Sequence, residues 1–353
     1  MQRIALTALA LALAAAYYGY TSSEMQRDFW LFGTPIQHSL SPLAHNTVFA
    51  SLGLRSYSYK LHETDSFSDP SLLALLRSPT FGGAAVTMPH KVAALAYMDT
   101  LGPEVLEVGS MNTVVVTGVV DDDENGGQKR LRLEGRNTDV EGIRRALLHS
   151  LPSEQHGAEQ PFGEGRSAII IGGGGTTRAA VYALSSLGLS PLYLINRDPG
   201  ETAAIIATPA FAKYDLRALE REEQWTEAEA ARVACGVGAI PSFEPVTEGE
   251  KNVYRLAEKV FSSSGSRPGK RPLMEMAYKP HVTLMYKLAE KHGWSPIGGI
   301  EALVHQAFAQ DLFWLRDSPH TRQASLTDEQ LAQAGRDAAD KVREAAGAPG
   351  KGQ

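Results

Sequence analysis

The sequence predicts an α/β chain of two domains, and three observations carry that expectation. Its 353 residues suffice for two units at roughly 150 residues each. Short β-rich runs alternate with amphipathic stretches, the pattern of parallel sheets covered by helices. A Gly-, Pro- and Glu-rich stretch, Pro152 to Gly165, separates two such series, as a linker would. With 43% hydrophobic residues each unit can bury a core.

The chain starts with an apolar run, Ile4 to Tyr18, preceded by Arg3 and followed by Thr21-Ser22-Ser23. That resembles a secretory signal peptide and falls short of the about 20 residues that span a membrane. Met25 stands directly before Gln-Arg-Asp-Phe-Trp, where folded sequence begins. Residues 1–24 are therefore read as a signal-like or spurious extension. A cytoplasmic chain is expected, with a secreted or membrane-anchored one as the alternative and no membrane segment in the folded core.

The first domain is expected over 25–135. Its strands begin with Phe29 to Phe32, Ser56 to Lys60 and Gly83 to Thr87, and a hairpin follows with arms Thr113 to Thr117 and Lys129 to Leu133 around the acidic turn Asp121 to Gly127. A helical pattern runs from Asp139 to Leu148. The second domain, 136–298, centres on Ser167-Ala-Ile-Ile-Ile171, an apolar run suited to a strand buried on both faces. Gly172-Gly-Gly-Gly175-Thr176-Thr177-Arg178 comes next, then a helix from about Ala179 to Leu187 and the strand Leu192 to Ile195. A glycine cluster alone fits a structural turn. Between a strand and a helix it fits the pyrophosphate site of a Rossmann-like NAD(P)-binding domain, where the helix N-terminus faces the ligand. Thr177 occupies the sixth position of GxGxxG.

Ile300, Leu303, Val304, Ala307 and Phe308 form a core stripe on a later helix, with Ala302 and Gln306 together off it. That segment, 299–316, is expected to complete the first domain. Thr327-Asp-Glu-Gln330 is a capping box for an Ala-rich helix to about Ala346. Leu331 and Val342 are its main large apolar members, so 317–353 is expected to be a solvated helix and tail, and Met25 to about Arg316 to fold and work alone.

Composition narrows the function. With 34 basic and 40 acidic side chains the net charge is −6, which offers a nucleic acid little attraction. The single cysteine, Cys235, excludes an internal disulfide and a Cys-rich metal site. Neither HExxH nor a calcium loop occurs, so no metal is expected. Oligomeric state is left open.

The motifs point to one family. Gly33-Thr-Pro-Ile-Gln-His-Ser39-Leu-Ser41-Pro-Leu-Ala-His-Asn46 resembles the opening motif of the shikimate and quinate dehydrogenases. Val86-Thr87-Met-Pro-His-Lys91, Met111-Asn112-Thr113 and Asn137-Thr-Asp139 are similar to their VTxPxK, xNT and NTD motifs. Gly172 to Arg178, Asn196-Arg197, Tyr278-Lys-Pro-His-Val-Thr283 and Leu303-Val-His-Gln306 resemble the nucleotide loop, cofactor turn, YxPxxT segment and final substrate helix. The motifs run in family order from about Phe29 to Trp314, roughly four fifths of the chain.

The resemblance implies a substrate domain and a Rossmann-like domain facing each other across a cleft. It implies hydride exchange between NAD or NADP and a cyclic polyol carboxylate: shikimate and 3-dehydroshikimate, or quinate and 3-dehydroquinate. Such a reaction needs a group that takes or returns the hydroxyl proton, which a buried lysine can do. Taken alone, Lys91 also reads as a solvent-facing helix residue and Asp139 as a helix cap. Within the family's motifs they are the catalytic pair. Ser39 and Ser41, two apart on an extended segment, can point the same way, and the family uses such hydroxyls for the substrate carboxylate. Thr87, Asn112, Tyr278 and Gln306 fall at its other substrate positions.

Four positions depart from the pattern. Ala85 stands where many members have Asn, and Ala302 where a methionine is common. Asp198 replaces the threonine usual in NADP enzymes, 26 positions after Gly172. There a carboxylate can accept from NAD ribose hydroxyls while Arg197 can attract an NADP phosphate, so NAD is weighed slightly ahead with NADP open. Glu301, with Asp198, looks closer to the quinate-using branch. The rival is a non-catalytic ligand sensor on the same fold.

Overall fold

The structure is a computed structural model and describes residues 25–122, 128–150, 165–263, 271–323 and 325–347. The signal-like run, the turn at 123–127, the linker before Gly165 and the end of the tail lie outside these residues. Among the described residues no helix is long and apolar enough to cross a membrane.

The first sheet contains β1 (Arg27–Gly33), β2 (Tyr57–Glu63), β3 (Phe81–Val86), β4 (Thr100–Leu101), β5 (Thr113–Asp122) and β6 (Gln128–Arg136), in the order β2-β1-β3-β5-β6-β4. β1 runs parallel to β2 and β3. β5 is antiparallel to β3 and β6. The hairpin arms exceed the predicted ones because cross-strand pairing continues through polar residues to Asp122 and Gln128. A ladder needs backbone pairing and not burial, so hydrophobic alternation underestimates it. Helices α1 (Ser41–Ser51), α2 (Pro70–Leu76) and α3 (Pro103–Val108) connect the strands; all three have a proline in the first turn, where its missing N–H costs nothing.

Helix α4 (Asp139–His149) leads to the second sheet. That sheet is built from β7 (Ser167–Ile171), α5 (Gly175–Ser186), β8 (Leu192–Ile195), α6 (Pro199–Ile206), β9 (Leu216–Ala218), α7 (Glu227–Arg232), β10 (Val233–Gly238), α8 (Glu248–Ser263), β11 (Pro272–Glu275), α9 (Leu284–Lys291) and β12 (Ser295–Ile297). Its strands are all parallel in the order β12-β11-β10-β7-β8-β9. The order reverses between β7 and β10, the crevice where such sheets bind ligands. β7 is buried on both faces, which is why its apolar run was legible. α5 starts at Gly175, four residues ahead of the predicted Ala179, because its first turn is the glycine loop itself.

Helix α10 (Gly299–Leu312) lies between the two units. Ala302 joins the core of the second sheet beside Ile143 and Leu147 of α4, while Ile300, Leu303 and Ala307 pack with Ala44 of α1. A Cβ on Gly142 would come 2.8 Å from the Ala302 carbonyl oxygen, so only glycine lets α4 and α10 approach this closely. A wide turn at Phe313–Asp317 follows, and Trp314 donates its indole N–H to the Val114 carbonyl at 3.0 Å.

The last helix, α11 (Asp328–Ala346), corrects the sequence reading. The capping box at Thr327 and Gln330 forms, but the helix is docked and not solvated. Leu331, Ala334 and Ala338 join the first core, and Val342 packs with Ile300 and Leu303. Arg343, itself buried, holds Glu301 of α10 through two bonds of 2.7 and 2.9 Å. Between Leu331 and Val342 the docked face consists of alanines, which carry little of the large apolar side chain that marks a buried helix in sequence. Small side chains let helices pack closely and bury area through proximity. The closing segment of the first unit thus runs to α11 and does not stop at residue 316.

Candidate active site

Strand register builds the centre of the site. Ala85 pairs with Thr113, and Thr113 with Arg136, so β3, β5 and β6 share one end. The chain passes that end three times, which brings Lys91, Asn112 and Asp139 together. The Lys91 ammonium donates to one Asp139 carboxylate oxygen, and Asn112 Nδ2 donates to the other at 2.9 Å. Their side chains are 17% and 8% exposed, Lys91 first. Asn112 is itself fixed, its Oδ1 accepting from the Thr138 N–H at 2.7 Å and the Thr113 hydroxyl at 2.8 Å. Asn137 Oδ1 accepts from the Asp139 N–H at 3.1 Å, and its amide donates to the Ser110 carbonyl at 2.8 Å. Asp139 opens α4, where the helix dipole favours a carboxylate. Lys91 stands just before a short 3-10 turn, Ala93–Tyr97, and not on a solvent-facing helix.

A cavity of about 230 Å³ adjoins the pair. Ser39, Ser41, Thr87, Tyr278 and Gln306 all line it, beside Lys91, Asn112 and Asp139. The structure therefore brings every predicted substrate position to one cavity. Ser39 Oγ accepts from the Ser41 N–H at 3.2 Å, a bond that folds the segment into α1. Gln306 Oε1 accepts from Asn112 and from the Thr138 hydroxyl, both at 3.2 Å. Its carbonyl oxygen is thus occupied, and it offers a ligand N–H donors. Burial pushes the Tyr278 phenol up, which keeps it a neutral hydrogen-bonding group. Hydroxyls and amides around one lysine suit an oxygen-rich ligand.

The glycine loop reaches the same cavity through Thr176, in the first turn of α5. At Gly172 the backbone has φ +140°, and a Cβ would lie 2.9 Å from the Ala239 carbonyl oxygen and from Thr177 Oγ1. Nothing lies within 4 Å of a Cβ placed on Gly174, while one on Gly175 would be 3.7 Å from the Lys91 Cβ. The start of α5 thus packs against Ser110 and Lys91, and Thr176 lines the cavity with Lys91. The loop fits a dinucleotide, which needs such a cradle and an open approach.

Two expectations for cofactor contacts change. Thr177 is fully buried, with its side chain packed on Gly172, so its hydroxyl is not available to a cofactor. Asp198 accepts from the Gly200 N–H at 2.8 Å and caps α6. One of its oxygens therefore has a helix-capping role. Arg197 reaches away to Glu250 at 3.0 Å, and Asn196 donates to the Asp198 carbonyl and to Glu201.

Sequence reasoning missed two groups. His45 Nδ1 and Asp311 Oδ1 lie 2.7 Å apart, both fully enclosed, tying the helix that starts at Ser41 to the helix that carries Gln306. The signal was there: His45 sits one turn after Ser41. Glu275, at the end of β11, is buried, and burial raises its carboxyl to about 8. Its Oε1 accepts from the Ala277 N–H at 3.3 Å, one residue ahead of Tyr278. Among the described residues no group of three or more His, Cys, Asp or Glu could hold a metal ion.

Comparison with known proteins bears on the fold. Residues 31–114 match the family model described as shikimate dehydrogenase substrate binding domain. The chain is similar to the dehydroquinate dehydratase and shikimate dehydrogenase from S. pombe, at 29% identity over 88% of this chain and 53% of that one, with a TM-score of 0.64. It thus spans about half the length of that relative. Shikimate 5-dehydrogenase from Thermus thermophilus, in complex with NADP(H) and shikimate, is 27% identical over 89% of this chain and all (100%) of its own, TM-score 0.61. The enzyme from Listeria monocytogenes, in complex with shikimate and NAD, is 25% identical over 91% and 96%, TM-score 0.63. This chain has the two-domain α/β fold of the shikimate dehydrogenases.

Proposed function

We propose that this chain is an NAD(P)-dependent oxidoreductase that interconverts shikimate and 3-dehydroshikimate, with Lys91 and Asp139 as its acid–base pair. The observation that carries the reading is that Thr176, directly after the four glycines, lines the same cavity as Lys91 and Asp139. A ligand filling that cavity would meet the loop and the lysine together. A bound nicotinamide supplies the hydride acceptor, and the chain does the rest. In oxidation neutral Lys91 takes the proton from the reacting hydroxyl as the C–H bond breaks; in reduction its ammonium returns it. Asp139, held on both oxygens, fixes the Lys91 nitrogen and stabilises its charged form. Ser39, Ser41 and Tyr278 are the groups we assign to the substrate carboxylate, and Thr87, Asn112 and Gln306 to its ring hydroxyls.

Shikimate is favoured over quinate because Glu301 and Asp198, which suggested the quinate branch, have structural work instead. Glu301 is bonded to Arg343, and Asp198 caps α6. NAD and NADP are both bound by relatives of this fold, and the charge at the cofactor turn favours NAD. A sensor would not need the lysine, the carboxylate and an open glycine loop on one cavity. The test is absorbance at 340 nm with shikimate and with quinate, each with NAD and with NADP. Shikimate-dependent reduction is expected in the wild type, and its loss in Lys91→Ala. Tight shikimate binding with no turnover under any pairing would favour the sensor.

A further inference from the structure

The predicted cofactor carboxylate, Asp198, is engaged with its own helix, but a second one stands over the glycine loop. Glu201 lies in the first turn of α6, 29 positions after Gly172. A Cβ on Gly173 would come within 2.4 Å of Glu201 Oε2 and 2.3 Å of Asn196 Nδ2. The Glu201 carboxylate therefore rests directly on the backbone of the second loop glycine. Asn196 holds it there, donating to Oε2 at 2.9 Å from the end of β8. In a sheet of this order the end of the second strand is where the adenosine ribose lies. The cation that could offset Glu201 is drawn off: Arg197 bonds to Glu250 at 3.0 Å. The backbone N–H groups of Val246 and Thr247, both at 3.0 Å, in turn hold Glu250. Arg197 is thus committed to Glu250, while Asp198 and Glu201 add two further carboxylates to the same turn.

We propose that Glu201, and not Asp198, selects the cofactor, by accepting from the ribose hydroxyls of NAD and repelling the 2′-phosphate of NADP. The inference rests on the reading of the loop as a dinucleotide site. A phosphate monoester brings nearly two negative charges, and at contact distance one carboxylate changes its binding by about tenfold or more. Asn196 serves as the positioning residue, since its amide sets where the carboxylate stands.

The test is calorimetric binding of NAD and of NADP to the full chain without substrate, for wild type, Glu201→Gln, Glu201→Arg and Asp198→Asn. Glu201 is exposed, so its replacement leaves the fold intact, and Asn retains the cap at 198. Wild type is expected to bind NAD more tightly. Glu201→Gln should narrow the ratio about tenfold, mainly by improving NADP, and Glu201→Arg should reverse it. Asp198→Asn should leave the ratio within about twofold. A ratio that moves with Asp198 and not with Glu201, or a wild type that prefers NADP, overturns the proposal alone. Failure of wild type to bind either dinucleotide overturns it together with the reading of the loop.

Discussion

Replacing Leu331 by Ala tests whether the last helix is part of the folded unit. Leu331 is 2% exposed and packs in the core that contains Phe29, Phe49 and Trp314. The change removes three carbon atoms, worth about 2.5 kcal/mol at roughly 0.8 kcal/mol for each buried group. A partly unrelaxed cavity adds to that, so about 3 kcal/mol is expected within the usual range of about 2–5. For a chain of this size each kcal/mol lowers Tm by about 2–3 °C, which gives a fall of about 6–9 °C. Thermal unfolding followed by near-ultraviolet circular dichroism reads it directly. Lys341→Ala, on the exposed face of the same helix, is the control and should stay within about 0.5 kcal/mol. If Leu331→Ala behaves like Lys341→Ala, the helix is solvated and the packing argument fails. For the same reason a chain cut at Arg316 is now expected to be unstable, since it bares Ile300, Leu303 and the Glu301 carboxylate.

Lys91→Ala should lower kcat by about 10²–10⁴-fold while KM stays within about tenfold; steady-state kinetics with shikimate decides it. Asp139→Asn keeps the shape, removes the charge and should lose most of the turnover. Asp311→Ala leaves the buried His45 Nδ1 without its hydrogen-bond partner and should cost about 1–3 kcal/mol, read by urea unfolding, with Asp311→Asn milder. Glu275 is raised in the folded state from 4.5 to about 8, so its share of stability is complete below about pH 4.5 and is lost as pH rises through about 8. Glu275→Gln should flatten that decline, seen as a smaller fall in Tm between pH 5 and pH 8.

What the sequence determined by itself was whatever depends on one segment at a time. The strands Ser167–Ile171 and Leu192–Ile195 were read to the residue, because a strand buried on both faces is apolar throughout and needs no partner to be seen. The glycine loop was legible because strand, turn and helix are contiguous. Lys91, Asp139 and the residues that line the cavity with them were singled out through their motifs, since neither spacing nor composition brings positions 91 and 139 together. The sheet does that: antiparallel pairing of β3 with β5 and of β5 with β6 returns three distant segments to one end. Tertiary structure also decided which way side chains turned. Asp198 and Glu201 are both acidic residues at a helix start, and only the fold shows one capping α6 and the other lying on Gly173. His45 found Asp311, and the alanines of α11 found α1 and α10, in the same manner. Burial and hydrogen bonding are properties of pairs, and a pair distant along the chain exists only after the chain has folded.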